Sequence, residues 1–256
     1  MITKEFKKLH KNNEILHIGN VWDIQSALMM EKSGYKVLGT SSLAIANSLG
    51  YEDGEEMSFE ELYEVCKKII SKVNIPLSVD IEGGYSRYSK EIVENIISLY
   101  EIGVLGVNIE DSVVENGERR ILPKEEFSKL LKEIKSNLQN KNINIFINAR
   151  TDNFIMGLDN PLEDTIQRIK LYELNGADGI FVPCIVDIED IKKVVNSTTL
   201  PINIMMMPNL DDFETLTEVG VKRVSQGAFI YNDLMENFKN NLITINQDNS
   251  FKSLFL

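Results

Sequence analysis

Eight times along this chain a short apolar run alternates with a longer amphipathic stretch, and that rhythm leaves few folds open. Four apolar runs follow a glycine that closes a helical pattern: Gly34-Tyr35-Lys36-Val37-Leu38, Gly103-Val104-Leu105-Gly106-Val107, Gly176-Ala177-Asp178-Gly179-Ile180 and Gly220-Val221-Lys222-Arg223-Val224. Glycine takes the left-handed conformation that ends a helix without steric cost. Others start at Ile75-Pro76-Leu77, Ile143-Asn144-Ile145 and Pro201-Ile202-Asn203-Ile204, where a proline at a strand start does least harm. Strands are expected at about 15–19, 36–40, 76–81, 104–110, 143–150, 178–183, 201–206 and 222–226. Between them, stripes such as Phe59, Leu62, Val65, Ile69 and Val73, or Leu162, Ile166, Ile169 and Tyr172, have the spacing of outer amphipathic helices.

Eight strand–helix units predict an α/β fold of the (β/α)8 TIM-barrel type. The 256 residues match one such barrel, which runs to roughly 250. An open doubly wound sheet would carry a G-x-G-x-x-G turn after its first strand, and none is present. No linker or composition shift divides the chain. The expectation is a single domain over residues 1–256, with a leading helix at about 3–11 and a loose polar tail at about 240–256.

The strands end on charge. Leu77-Ser78-Val79-Asp80-Ile81-Glu82, Gly106-Val107-Asn108-Ile109-Glu110-Asp111 and Phe146-Ile147-Asn148-Ala149-Arg150-Thr151-Asp152 each close an apolar run with ionisable groups. Packing gives no reason for that, because an unpaired buried charge is very costly. Barrel active sites lie at the carboxyl ends of the strands, so these groups are expected in one site. Asp80 and Glu82 share a face by strand alternation. Converging carboxylates point to a hard divalent cation, Mg2+ or Mn2+, and the arginine to an anionic substrate.

A net charge of −12 argues against nucleic acid and anionic membrane surfaces, and no apolar stretch approaches the ~20 residues of a membrane span. The start has no signal-peptide pattern, and Cys66 and Cys184 form neither metal spacing nor a disulfide framework. A cytoplasmic enzyme is the plain reading. His10, His17 and both cysteines are expected to be structural.

Four segments together resemble the isocitrate lyase and phosphoenolpyruvate mutase family. They are Gly39-Thr40-Ser41-Ser42-Leu43 running on to Ser48-Leu49-Gly50-Tyr51-Glu52-Asp53, then Asp80-Ile81-Glu82-Gly83-Gly84-Tyr85, Ile109-Glu110-Asp111, and Ala149-Arg150-Thr151-Asp152. The resemblance spans about Gly19 to Tyr231. It implies that Asp80 is the most direct metal ligand, with Glu82, Glu110 and Asp53 holding the ion directly or through water. It implies that Ser41 and the backbone N–H groups of Ser42 and Leu43 hold a substrate carboxylate. Arg150 would balance charge on an enolate or leaving oxyanion, so that Arg150, Glu110 and Asp53 carry the catalysis. Trp22 is a candidate for the pocket wall. A homotetramer is implied too.

The chain departs from the family where the lyases carry Lys-Lys-Cys-Gly-His. The corresponding loop reads Ser112-Val113-Val114-Glu115-Asn116-Gly117-Glu118-Arg119-Arg120, without cysteine or histidine. Isocitrate or methylisocitrate cleavage by the usual route is therefore disfavoured. The loop is expected to be a solvated gate, with Arg119 or Arg120 as its contact to substrate. The sequence reading is a Mg2+-dependent lyase that cleaves a C–C bond in a small 2-oxo or 2-hydroxy (di)carboxylic acid through a pyruvate-like enolate. Carbon–phosphorus chemistry, as in a phosphonopyruvate hydrolase or phosphoenolpyruvate mutase, is the alternative, and a non-catalytic ligand-binding barrel a further one.

Overall fold

The computed structural model describes residues 3–115 and 117–255. Eight parallel strands close a barrel: β1 (Leu16–Val21), β2 (Val37–Thr40), β3 (Leu77–Asp80), β4 (Gly106–Glu110), β7 (Phe146–Arg150), β8 (Gly179–Val182), β9 (Ile202–Met205) and β10 (Arg223–Ser225). Each pairs with its neighbour in sequence around the ring, and β10 closes on β1. Two further strands, β5 (Ser112–Glu115) and β6 (Glu118–Ile121), form an antiparallel hairpin above the barrel, between β4 and the next helix.

All eight expected barrel strands are present, with shifted ends. The expected strand at 143–150 starts at Phe146, because Asn142 takes a left-handed φ of 58° and Ile143 N–H still bonds back to Leu138 O at 2.9 Å. The gate expected at 112–120 is a hairpin in its described part; Asn116 lies outside the described residues. The tail expected to be loose from about 240 is helical instead: a 20-residue helix runs from Phe229 to Asp248 and ends on left-handed Asn249. No helix among the described residues is long and apolar enough to cross a membrane.

Strand alternation sorts each barrel strand into two sets. Val107 and Ile109 of β4, or Ile147 and Ala149 of β7, face outward into the aliphatic shell shared with the helices. Gly106, Asn108 and Glu110, in register with Phe146, Asn148 and Arg150, face the bore. The bore is thus layered. At its base the leading helix Thr3–Leu9 inserts Phe6, which meets Phe146 edge-on at 5.7 Å while His10 stacks on that ring at 4.3 Å. A Cβ at position 106 would approach the Phe6 ring to 3.1 Å, so glycine there admits the plug. The middle layer is polar: Asn148 Nδ2 donates to Asn108 Oδ1 at 2.9 Å and to Asn203 Oδ1 at 3.1 Å. The upper layer is charged, and it forms the floor and wall of the candidate site.

Candidate active site

Registration alone brings the charged strand ends together. Glu110 lies opposite Arg150 across β4 and β7, and Asp80 lies opposite Asn108 on the next strand pair. Arg150 Nη1 stands 2.9 Å from Glu110 Oε2 and 3.7 Å from Asp80 Oδ2. Its Nε donates to Asp152 Oδ1 at 2.6 Å, and Nη2 donates to Asp152 Oδ2 at 3.2 Å. The Glu110 approach is an ion pair without hydrogen-bond alignment, which leaves Glu110 Oε2 buried and unpartnered. Arg150 is held well above the ordinary arginine range by Asp152, Glu110 and Asp80, which outweigh its burial.

Asp80 is fixed at the end of β3 by the bond from its N–H to Thr40 Oγ1 at 2.8 Å. Ser42 Oγ reaches its Oδ2 at 3.4 Å. The chain then turns sharply: Glu82 takes a φ of 48° and Tyr85 a φ of 59°, left-handed values that cost a side-chain-bearing residue energy. The strain aims the Glu82 carboxylate back at the site, where Oε1 accepts from Tyr85 Oη at 3.2 Å. Burial, then Asp53, Glu110 and Asp80, push the Glu82 carboxyl up to about 9. Burial also raises Glu110, against the pull of Arg150 and Arg119, and it raises Asp80 against Arg150.

Ser41 caps the helix Ser42–Leu49, accepting from Ala44 N–H at 3.3 Å. The first-turn N–H groups of Ser42 and Leu43 are among those a helix cannot satisfy internally, and they make a natural carboxylate cradle. Ser41, Ser42, Leu43, Asp53, Asp80 and Arg150 all line one cavity of about 220 Å³. Glu82 and Glu110 stand just behind that lining. Trp22 does not line it; the indole packs edge-on against Tyr231 at 5.2 Å. Cys184 sits nearby on a left-handed backbone with its thiol raised by burial, poorly suited to ionise.

Two more residues join the site: Arg119, one of the two gate-loop arginines expected to reach it, and Ser112, which was not expected. Arg119, on β6, turns inward: Nη1 contacts Glu110 Oε1, lies 2.8 Å from Ser112 Oγ and 3.2 Å from Asp152 Oδ2, while Nη2 lies 3.3 Å from Asp53 Oδ2. Arg120 faces outward onto exposed Glu115 at 3.0 Å. Alternation along a strand separates them, so reading 118–121 as a strand would have picked one. Ser112 Oγ joins the same group, 2.9 Å from Glu110 Oε1 and 2.6 Å from Asp152 Oδ2. Asp111 turns away: Arg168 Nη1 at 3.1 Å and Tyr172 Oη at 2.7 Å hold it in the outer shell, and its Oδ1 accepts from Asp152 N–H at 3.0 Å.

The donor chemistry fits a hard divalent cation. Asp53 Oδ1, Glu82 Oε2 and Glu110 Oε2 are buried without hydrogen-bond partners, and burial raises the Glu82 and Glu110 carboxyls, the latter against the pull of Arg150 and Arg119. Among the described residues no three Asp, Glu, His or Cys side chains converge closely enough to hold an ion as they stand. Carboxylates spaced this way could serve Mg2+, which keeps several waters and takes one or two carboxylates directly.

The family model described as phosphoenolpyruvate phosphomutase matches residues 6–246. An uncharacterised Mycobacterium tuberculosis protein is 30% identical over 226 residues, covering 88% of this chain and 83% of the relative. An oxaloacetate decarboxylase of Pseudomonas syringae pv. tomato is 26% identical, covering 90% of this chain and 80% of its own length. Among solved structures, a Burkholderia cenocepacia protein provisionally named a phosphonomutase is 30% identical and superposes with a TM-score of 0.87, over 94% of this chain and 98% of that one. A match that begins in the plug helix and ends in the last long helix takes in every strand of the barrel, and the chain is accordingly an enzyme of the phosphoenolpyruvate mutase/isocitrate lyase family.

Proposed function

We propose that the protein is a Mg2+-dependent carbon–carbon lyase acting on a small 2-oxo (di)carboxylate through a pyruvate-like enolate. The observation that carries this reading is Arg150, locked among Asp80, Glu110 and Asp152 and facing the helix N-terminus of Ser42–Leu49 across one small cavity. A carboxylate seated on Ser41 and the N–H groups of Ser42 and Leu43 turns its 2-oxo oxygen toward Arg150 and Asp80. Asp80, with Glu82, Glu110 and Asp53 around it, would hold Mg2+ (or Mn2+) directly or through water, and the ion would supply Lewis-acid withdrawal of charge from that oxygen. Arg150 stabilises the negative charge that arrives there as the carbon–carbon bond breaks, and its ion pairs hold it in place beforehand.

Among the described residues the cavity lining holds neither cysteine nor histidine, and the thiol of nearby Cys184 is raised by burial, which bears on substrate class. Cleaving a 2-hydroxy acid starts by removing the hydroxyl proton, which needs a base. Losing carbon dioxide from a 2-oxo acid that carries a 3-carboxylate needs none, because the bonding electrons flow straight into the enolate. The 2-oxo class is favoured over the 2-hydroxy class on that ground.

Carbon–phosphorus chemistry is the second reading. Arg119 favours it, because a second guanidinium next to Asp53 and Glu110 would suit a phosphonate with more charge than a carboxylate. We further propose a cytoplasmic homo-oligomer, with neither nucleic acid nor membrane as partner. The test is pyruvate release from oxaloacetate, methylisocitrate, 2-methylmalate-type acids and phosphonopyruvate, with and without Mg2+, alongside Asp80→Ala. Metal-dependent turnover of oxaloacetate, lost in the variant, is expected. Turnover of phosphonopyruvate alone selects the second reading, and metal-independent turnover sinks both.

A further inference from the structure

Barrel bores of this architecture are usually filled with branched aliphatic side chains. In this bore the layer beneath the charged site contains a cation that has no ion-pair partner among the described residues. Arg223, the first residue of β10, is 2% exposed. Its nearest polar neighbours are neutral and at the outer limit of hydrogen bonding: His10 Nε2, Ser78 Oγ and Asn108 Oδ1, each at 3.4 Å. Its Nε has no hydrogen-bond partner at all. His10 cannot supply negative charge. Its Nδ1 lies 3.1 Å from Phe6 O, which makes it the protonated nitrogen and leaves neutral Nε2 turned to the guanidinium.

Among the described residues, Asp80 is the carboxylate whose field reaches Arg223, and Asp80 already answers to Arg150 at 3.7 Å. A buried guanidinium left this way is costly unless something pairs with it. The space for a partner exists. The cavity that has Asp80 and Arg150 on its upper wall continues down to Arg223, Asn108 and Ser225.

We infer that the floor of this cavity is a binding site for a small monoanion, held by the Arg223 guanidinium between Asn108 and Ser225. The ligand class is a single negative charge of small radius. It comes either from solution, as a halide or formate, or from a carboxylate arm of the substrate reaching down the bore. The site depends on Arg223 and the cavity alone, so its failure would leave the proposed metal chemistry untouched.

Crystals soaked in sodium bromide read the site directly. Anomalous density is expected within about 3.5 Å of the Arg223 guanidinium. A map with only water there, or with nothing, overturns the inference. In solution, replacing sodium gluconate by sodium bromide at constant ionic strength should raise the thermal midpoint by about 2–4 °C. Arg223→Met, which keeps the length and drops the charge, should show no rise. An equal rise in both proteins would place the bromide elsewhere and overturn the assignment. Should the variant not fold, the wild-type density decides. Adding oxalate to the soak separates the two sources: loss of the bromide peak identifies a carboxylate arm, and its persistence identifies a free anion.

Discussion

At Glu110 and Asp111 two adjacent carboxylates leave the end of β4 in opposite directions, and their buried partners differ in kind. Asp111 is fully buried against Arg168 and Tyr172, with Leu122 N–H bonded to its backbone oxygen at 2.7 Å. Asp111→Ala takes from Arg168 its buried carboxylate, leaving it the partly exposed Asp164 at 2.6 Å, and removes the acceptor of Tyr172 Oη and Asp152 N–H; it should cost about 3 kcal/mol of stability, read as a lower urea midpoint. Asp80→Ala removes one of several carboxylates crowded around Arg150, which keeps Glu110 and Asp152. It should abolish turnover and leave the urea midpoint within about 0.5 kcal/mol of wild type. Equal destabilisation by the two would mean that Asp80 is structural. Titration follows from the same crowding. Glu82, raised to about 9, binds a proton in the folded state that the unfolded chain has already lost above its ordinary carboxylate value. Stability of the metal-free protein therefore falls as pH rises toward 9. Between pH 7 and 8.5 Glu110, pushed up to about 8 by burial, adds to the fall in the same direction, whereas His10, buried neutral, favours the folded state with rising pH only below neutrality. Thermal midpoints should decline across the window without Mg2+ and flatten with it. A rising metal-free curve would refute the assignment.

The hairpin of β5 and β6 carries the chain's main departure from its family's sequence pattern. Its inner face delivers Arg119 to Asp53, Glu110 and Asp152, where the guanidinium offsets part of the carboxylate charge. Two positive charges contending for the same carboxylates predict that Arg119→Gln binds Mn2+ about tenfold more tightly, read by electron paramagnetic resonance. Arg120→Gln, whose pair with Glu115 is exposed, should leave that affinity unchanged. Weaker binding in Arg119→Gln would mean that Arg119 organises the ion site. This element was also the least legible one in the sequence. Its signal was present: Val113-Val114 and Glu118-Arg119-Arg120-Ile121 flank Asn116-Gly117, the strongest short hairpin turn, and Gly117 has a φ of 79°. A reading led by the family's gate loop passed over it. The barrel strands were legible because glycine and proline punctuate them and because their ends carry charge that packing cannot explain. Arg223 stayed hidden for the opposite reason, since a lysine–arginine pair at a strand start reads as solvated surface. Trp22 shows that nearness to a strand end does not decide which way a ring turns.

For the molecule as a whole, the long helix Phe229–Asp248 is an anomaly on a monomer. Only Tyr231 along it is buried, while Leu234, Phe238 and Leu242 recur at helical spacing with 53%, 55% and 46% of their surface exposed. Exposed apolar stripes of this size mark contact surfaces. The groove beside this stripe is lined by Met235, Phe238, Leu242 and Ile243, and also by Asn47 of the helix whose first turn faces the catalytic cavity. A second subunit packed on this groove would touch the helix whose first turn carries Ser42 and Leu43, and so would link assembly to the proposed carboxylate site. Sedimentation at micromolar concentration should give a homotetramer of 29.1 kDa chains, and Phe238→Asp with Leu242→Asp should yield monomers. The dissociated protein should keep its barrel by circular dichroism yet show a KM raised about tenfold with a smaller change in kcat, if the helix holds the substrate carboxylate as proposed. A wild-type monomer would remove the assembly argument. A dissociated variant with unchanged KM would keep the assembly and cut its link to the site.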